Sequence, residues 1–300
     1  NTYGTPHEDA LSRDFTINGL FYDPSSRQIH DFVGGRDDIE ARRIRTIGDP
    51  EQRFREDPVR LMRAVKFAAR LGLNLDDEIV QVAKACAPLV HDCPSARVTE
   101  EFFRIFETGH ARRSLELMQE LDILPDLLPE VATSVLADDT TWETALTLLD
   151  AVDRQRNAHS SLPRECMYTL LIWPIIYAAL QKEQAEGIKQ DWGKRASELS
   201  HSTNLRMGIP QRHRHQLRST ANVMKRLVHP SKRTRRAALM RTPALPVALS
   251  LLRMQFIIDG SGADVYETWA SAAATHGIRA APVEPRVEET GKDNRRRPAR

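Results

Sequence analysis

The stretch Glu8–Leu20, EDALSRDFTINGL, and a second one at Glu56–Ala64, EDPVRLMRA, both set acids and arginines at helical spacing. Glu8, Asp9, Arg13 and Asp14 fall in the first; Glu56, Asp57, Arg60 and Arg63 fall in the second. The i, i+3 spacing of Asp57 to Arg60, and of Arg60 to Arg63, predicts that these side chains share one helix face. Exposed ion pairs contribute little by themselves. The setting sets these apart. RDFTIN runs into the strand-like LFY of Leu20–Tyr22, and EDPVRLMRAVKFAARLGL continues into a helix with an apolar face. That face carries Val59, Met62, Val65, Phe67 and Leu71, and Gly72 ends the helix.

Working outward, Asp9–Asn18 reads as helix, and Gly19–Tyr22 and Gln28–Phe32 read as two strands around the turn Asp23–Ser26. Gly34–Gly35 is a break, either a plain turn or a hinge, and Ile44–Ile47 reads as a further strand. From Pro50 the pattern is helical. Pro58 suits a first helical turn. Asp76–Val90 follows, then a helix with Thr99 as N-cap. Later helices are expected at Thr141–Gln155, Pro163–Leu180, Glu183–Ser200, Pro210–Val228, Pro246–Ile258 and Ala263–Ala274. After Gly277 the Pro, Glu and Arg content is that of a disordered tail.

Composition bounds the rest. A chain of 300 residues that is 41% hydrophobic can bury a substantial core. No apolar run reaches the length of a membrane span; the longest, near Leu170–Leu180, contains Trp173–Pro174. The first residues do not read as a secretory signal. Cys86, Cys93 and Cys166 make no disulfide framework, which predicts a reducing, cytoplasmic setting. Cys86, His91 and Cys93 fit no four-ligand zinc spacing. Trp142, Trp173, Trp192 and Trp269 sit at apolar positions and read as core residues.

Net charge is only +2, but Leu205–Arg241 contains no acid while holding Arg206, Arg212, Arg214, Arg218, Lys225, Arg226, Lys232, Arg233, Arg235, Arg236 and Arg241. Lys292 and Arg295–Arg300 are basic again. A one-sign block on a near-neutral chain points to a polyanionic partner, with RNA-backbone binding by Arg212, Arg214, Arg218, Lys232, Arg233, Arg235 and Arg236 favoured over a merely solvated helix face.

Four motifs in this order resemble the bacterial poly(A) polymerases and the related tRNA CCA-adding enzymes, the class II nucleotidyltransferases. They are Arg13–Asn18 (RDFTIN), Asp31–Gly35 with Asp37–Ile39, Glu56–Arg60 through Arg63–Ala64, and Ala96–Glu101 (ARVTEE). The resemblance implies a mainly α fold: the C-terminal remnant of an α/β nucleotidyltransferase head over residues 1–48, then an all-helical remainder. That remainder comprises a helical neck that binds the nucleotide base over 49–115, a helical body over 116–228, a basic RNA-binding region over 229–276 and a disordered basic tail over 277–300. It also implies that Asn1 lies in a loop of a head whose first part is missing here.

The same resemblance implies template-independent addition of AMP from ATP to RNA 3′ ends, a modification that promotes RNA decay, with possible RNA-decay proteins as partners. CCA addition to tRNA is the alternative, and a non-catalytic helical RNA-binding protein is the alternative of another class. Two Mg²⁺ ions are expected, held mainly by an Asp-x-Asp upstream. No Asp-x-Asp occurs in these residues, and Asp37–Asp38 and Asp138–Asp139 lack its strand and turn, so this stretch alone is expected to be inactive. By resemblance Asp14 is a third active-site acid, Arg13 meets the triphosphate and Asn18 a ribose hydroxyl. Asp57 and Arg60 read the base edge. Arg63 either touches the nucleotide or buttresses Asp57. Ser12 stands where the family carries a further arginine. From the residues alone, without the resemblance, a structural ion pair between Arg13 and Asp14 is the favoured reading.

Overall fold

The computed structural model describes residues 4–137, 139–157, 163–230, 236–259 and 262–278. Its first helix, α1 (Pro6–Ser12), starts at a capping box. The Thr5 hydroxyl accepts from the Glu8 N–H, and the Glu8 carboxylate accepts from the Thr5 N–H at 2.7 Å. Strands β1 (Leu20–Asp23) and β2 (Gln28–Asp31) then pair antiparallel, Leu20 against Asp31 and Asp23 against Gln28. Helix α2 (Gly35–Glu40) follows, and β3 (Arg43–Ile44) pairs in parallel with β4 (Asn74–Leu75).

Between β3 and β4 lie α3 (Pro50–Glu56) and α4 (Val59–Leu71). After β4 come α5 (Asp77–Cys86), α6 (Ser95–Glu107), α7 (Ala111–Glu120), α8 (Leu124–Leu127), α9 (Pro129–Ala137) and α10 (Asp139–Asn157). The chain continues through α11 (Arg164–Ala185), α12 (Trp192–Leu199), α13 (His201–Arg206), α14 (Gln211–Val228), α15 (Arg236–Met240), α16 (Leu245–Asp259) and α17 (Ala263–Ala274). The mainly α expectation is met. One hydrophobic cluster runs from Phe15 to Ala273, with α4 packed on α6 and α7, α10 on α7 and α11, and α14 on α11, α12 and α16. Trp173, Trp192 and Trp269 are buried in it and Trp142 lies at its edge. Among the described residues no helix is long and apolar enough to cross a membrane.

Four expectations from sequence are corrected. Asp9–Asn18 is not one helix: α1 ends at Ser12, whose hydroxyl donates to the Asp9 carbonyl at 2.7 Å, and Arg13 is extended. The next N–H groups go to a distant segment instead, with Thr16 N–H donating to the Arg45 carbonyl and Ile47 N–H to the Asp14 carbonyl. Phe15 and Thr46 form the bridge between them.

Thr99 is not an N-cap. Helix α6 already starts at Ser95, and the Thr99 hydroxyl, now interior, donates back to the Ser95 carbonyl at 2.8 Å and contacts the Met207 carbonyl. Residues 183–200 are not continuous: α11 runs through Pro174 to Ala185, Gly187 takes φ +76°, and Asp191 caps α12 at the Lys194 N–H. Finally, Asp57 is not on the helix of Arg60. It is the C-cap of α3, at φ −150° and ψ 91°, because the residue before Pro58 is sterically excluded from helical geometry.

Candidate functional site

The helix break at Asp57 shapes an open cleft of about 550 Å³. Its floor and walls come from the turn after α1, the α3–α4 junction and one face of α6. The cleft brings together Arg13, Asp14, Asp57, Arg60 and Arg63, from two stretches far apart in sequence. Asn18 does not line it but stands behind it, donating from Nδ2 to Asp14 Oδ1 at 2.9 Å.

Asp14 is nearly buried and fully engaged. Oδ1 accepts from Asn18 and from the Phe15 N–H at 3.0 Å, while Oδ2 accepts from Arg63 Nε at 2.6 Å. Burial alone would raise the Asp14 pKa. The hydrogen bonds from Asn18 and Arg63, the Arg63 charge and the Phe15 N–H outweigh burial and hold it below the usual carboxylate range. Arg63 also lies 3.5 Å from Glu101, which receives Lys66 Nζ at 2.5 Å. Asp14, Arg63, Glu101 and Lys66 thus form one charge-alternating chain along the cleft wall, with Lys66 off the lining. Arg13 does not pair with Asp14. Its Nη2 meets Asp9 at 2.7 Å, and that hydrogen bond and charge raise its pKa further.

Asp57 and Arg60 are held separately. Arg97 donates to Asp57 Oδ2 at 2.8 Å, whereas Asp57 Oδ1 is shielded from solvent and has no hydrogen-bond partner. Arg60 Nη1 donates to the Arg53 carbonyl at 3.1 Å and to Glu56 at 3.2 Å. Arg53 also reaches across to the Arg13 carbonyl at 2.5 Å, which ties α3 to the turn that carries Asp14.

Residues to which no site role was assigned from sequence complete the wall. Arg97, Glu100, Glu101 and Arg104 all line the cleft, and their i, i+3, i+4, i+7 spacing on α6 was the available signal. Glu100 is clamped by Arg164 at 2.6 Å and Arg104 at 2.9 Å, and these hydrogen bonds lower its pKa to about 2.

Gly34 and Gly35 lie outside the cleft lining. Asp31 accepts four backbone N–H groups, from Val33, Gly34, Gly35 and Arg36, and so fixes the turn. Gly34 takes φ +78°, and a Cβ on Gly35 would lie 2.3 Å from the Thr16 carbonyl oxygen. Behind it the buried Asp38 accepts from Thr16, Arg43 and Arg45.

Among the described residues no three His, Cys, Asp or Glu side chains cluster so as to hold a metal ion. Asp14, the acid expected beside one, already accepts from three N–H donors. The described residues therefore do not make a divalent-metal centre by themselves. Of the basic block, Arg212, Arg214 and Arg218 are exposed on α14, and Arg236 stacks over Trp269 at 5.7 Å. Lys232, Arg233 and Arg235 lie outside the described residues, as does the tail expected over 279–300.

Residues 1–45 match the family model described as the poly A polymerase head domain, and residues 72–134 match the one described as "Probable RNA and SrmB-binding site of polymerase A". Poly(A) polymerase I of Salmonella typhimurium is 33% identical over 191 residues, which is 63% of this chain and 41% of that protein. Poly(A) polymerase I of Escherichia coli O6:H1 is 40% identical over 131 residues, which is 44% of this chain and 28% of that protein. The chain therefore spans less than half the length of these relatives. The crystal structure of the Bacillus stearothermophilus CCA-adding enzyme with CTP superposes with a TM-score of 0.61 at 25% identity, over 93% of this chain and 62% of that one. Over these segments the chain is similar to the poly(A) polymerases and the CCA-adding enzymes.

Proposed function

We propose that the whole protein is a template-independent polynucleotide adenylyltransferase, in which an RNA 3′-hydroxyl attacks the α-phosphate of ATP in line and pyrophosphate leaves. The observation that carries this reading is the single cleft in which Asp14, Arg13, Asp57, Arg60 and Arg63 meet. Mg²⁺ supplies charge neutralisation at the phosphates in such reactions, and its ligands are assigned to residues outside those described here.

The residues of this chain position the nucleotide. The Asp57 carboxylate lines the cleft and suits the exocyclic amino group of adenine once its side chain turns from Arg97, while the Nε and Nη2 groups of Arg60 suit ring acceptors. Guanine and uracil present an oxo group where Asp57 needs a donor, so the pair rejects them. Arg13, on the exposed lip, meets the triphosphate. Asp14 acts through Arg63, which it holds in place, and Asn18 orients Asp14. RNA is gripped along its backbone, without base reading, by the helical region and by Arg212, Arg214, Arg218 and Arg236, with Lys232, Arg233 and Arg235 beyond the described residues. The setting is cytoplasmic.

CCA addition is the second reading. It is favoured by the likeness, over nearly the whole chain, to a CCA-adding enzyme with CTP, and cytosine also presents an amino group. Primer extension by the gene product with Mg²⁺, offering ATP or CTP singly, separates the two. Long ATP-only extension of an unstructured RNA is expected. Addition confined to a tRNA lacking its 3′ CCA, with two C then one A, would replace the first reading by the second. RNA binding without any incorporation would leave a binding module alone.

A further inference from the structure

A second polar cavity, of about 300 Å³, opens between α14 and the α12–α13 turn. Gln211, Arg214, His215 and Arg218 form one wall at i, i+3, i+4, i+7, the spacing by which a helix normally turns apolar residues inward. Ser197, Ser200, His201 and Asn204 repeat that spacing on the facing wall. A helical stripe of α14 and the α12–α13 turn, both made wholly of hydrogen-bonding side chains, therefore face each other.

The cavity is built rather than incidental. At one end α12 and α14 touch: a Cβ on Gly193 would fall 2.3 Å from Asn222 Nδ2, and the Gly193 N–H donates to Asn222 Oδ1 at 3.1 Å. At the floor, the Tyr168 hydroxyl donates to Asn204 Oδ1 at 2.6 Å, Asn204 Nδ2 donates to Ser200 Oγ at 3.0 Å, and Ser200 Oγ donates to the Ala196 carbonyl. Those groups are satisfied and fixed in orientation. The two guanidiniums are not. Among the described residues neither Arg214 nor Arg218 has a carboxylate partner, and no acid lines the cavity. The nearest acid in sequence, Glu198, pairs with Arg195 at 3.2 Å. In the large cleft the opposite holds, since Arg13, Arg60, Arg63, Arg97 and Arg104 each meet an acid. Two like charges i, i+4 on one helix repel each other. That repulsion is relieved when an anion sits between them, and the planar fork of each guanidinium matches phosphate oxygens.

We infer that this cavity binds a phosphate group, through Arg214 and Arg218 with His201 and His215 at the rim. Its source, on the reading that the protein acts on RNA, is a backbone phosphodiester of the RNA body held away from the reacting 3′ end.

The test compares Arg214→Gln/Arg218→Gln with Arg226→Gln/Arg241→Gln, a control pair from the same basic block that does not line the cavity. All four side chains are exposed, and unchanged thermal unfolding checks that each variant folds. Binding of a labelled oligoadenylate is measured from low to moderate salt, and binding of inorganic phosphate by calorimetry; neither measurement needs catalysis, so a failed polymerase reading does not decide it. The expected result is a roughly tenfold loss of oligoadenylate affinity with a salt slope smaller by about one to two in the cavity variant only, together with loss of phosphate binding. Loss of phosphate binding with oligoadenylate affinity intact would keep the phosphate site and overturn RNA as its source. Equal behaviour of the two pairs in both assays would overturn the site.

Discussion

Arg63 Nε stands 2.6 Å from Asp14 Oδ2, across 49 residues of sequence. Asp14 is 8% exposed, so its charge depends on that partner and on two further N–H donors. Removing the guanidinium strands a nearly buried carboxylate. Arg63→Ala is expected to destabilise the chain by about 2–3 kcal/mol, at or just below the range for breaking a buried pair because Arg63 is partly exposed. Denaturant midpoints would show it, and Arg63→Lys should recover only part, since an ammonium cannot present the same Nε–H. A change below about 0.5 kcal/mol would mean that the pair is no more than a surface contact.

Arg97 makes the contrasting case. It is half exposed and holds only one oxygen of Asp57. Arg97→Ala should alter stability by less than about 1 kcal/mol. It should nonetheless lower discrimination between ATP and GTP about tenfold, because a charge-assisted hydrogen bond that fixes the Asp57 carboxylate is lost. The ratio of kcat/KM values for the two nucleotides is the readout, and an unchanged ratio would remove Arg97 from base selection.

Acid should act through depressed carboxylates. Glu100 is lowered from 4.5 to about 2 by Arg164 and Arg104, and Asp14 is also lowered. A carboxyl with a depressed folded pKa binds fewer protons when folded, so its stabilisation is fully present above the unfolded pKa and disappears as pH falls through the folded one. The stability gap between the wild type and Glu100→Gln should therefore be constant above about pH 5 and shrink as pH falls toward 2. Because Glu100 is 43% exposed on its side chain, that gap should stay below about 1 kcal/mol. Unfolding curves at pH 6, 4 and 3 check it; a gap that widens on acidification would contradict the assignment.

Gly35 offers no room for a side chain. With its added Cβ 2.3 Å from the Thr16 carbonyl oxygen and 2.9 Å from the carbonyl carbon, Gly35→Ala must push backbone aside, at a cost of about 1–3 kcal/mol. Gly34→Ala meets nothing closer than the flexible end of Arg45 at 3.2 Å and carries only the left-handed strain, about 1 kcal/mol. Thermal melting of the two variants should rank them in that order.

Much of this was legible in sequence, unevenly. Helix α4 was readable from its apolar face and its Gly72 stop, and α17 to the residue. Arg13, Asp14, Asp57, Arg60 and Arg63 line one cleft, whereas Asn18 stands behind it on Asp14. The break at Asp57 was also written in the chain, by Pro58, but the even spacing of Asp57, Arg60 and Arg63 concealed it. The extended turn at Arg13–Phe15 was not legible, because what competes with the helix there is Arg45–Ile47, a segment thirty residues on that takes its hydrogen bonds. Nor could spacing reveal that Arg13 would choose Asp9 while Asp14 chose Arg63, since each had both partners within plausible reach.

The interruption between α3 and α4 leaves the side chains of Asp57 and Arg60 anchored to different elements, although the Arg60 N–H still donates to the Asp57 carbonyl at 3.0 Å. One answers to Arg97 on α6, the other to Glu56 and a carbonyl of α3. On the proposed adenylyltransferase reading, the accepted base would therefore be retuned without altering Asp57 or Arg60. On that reading, a substitution in α6, or one that shifts the α3 carboxyl end, would move one side chain against the other, and two lineages with the same Asp and Arg would differ in nucleotide preference.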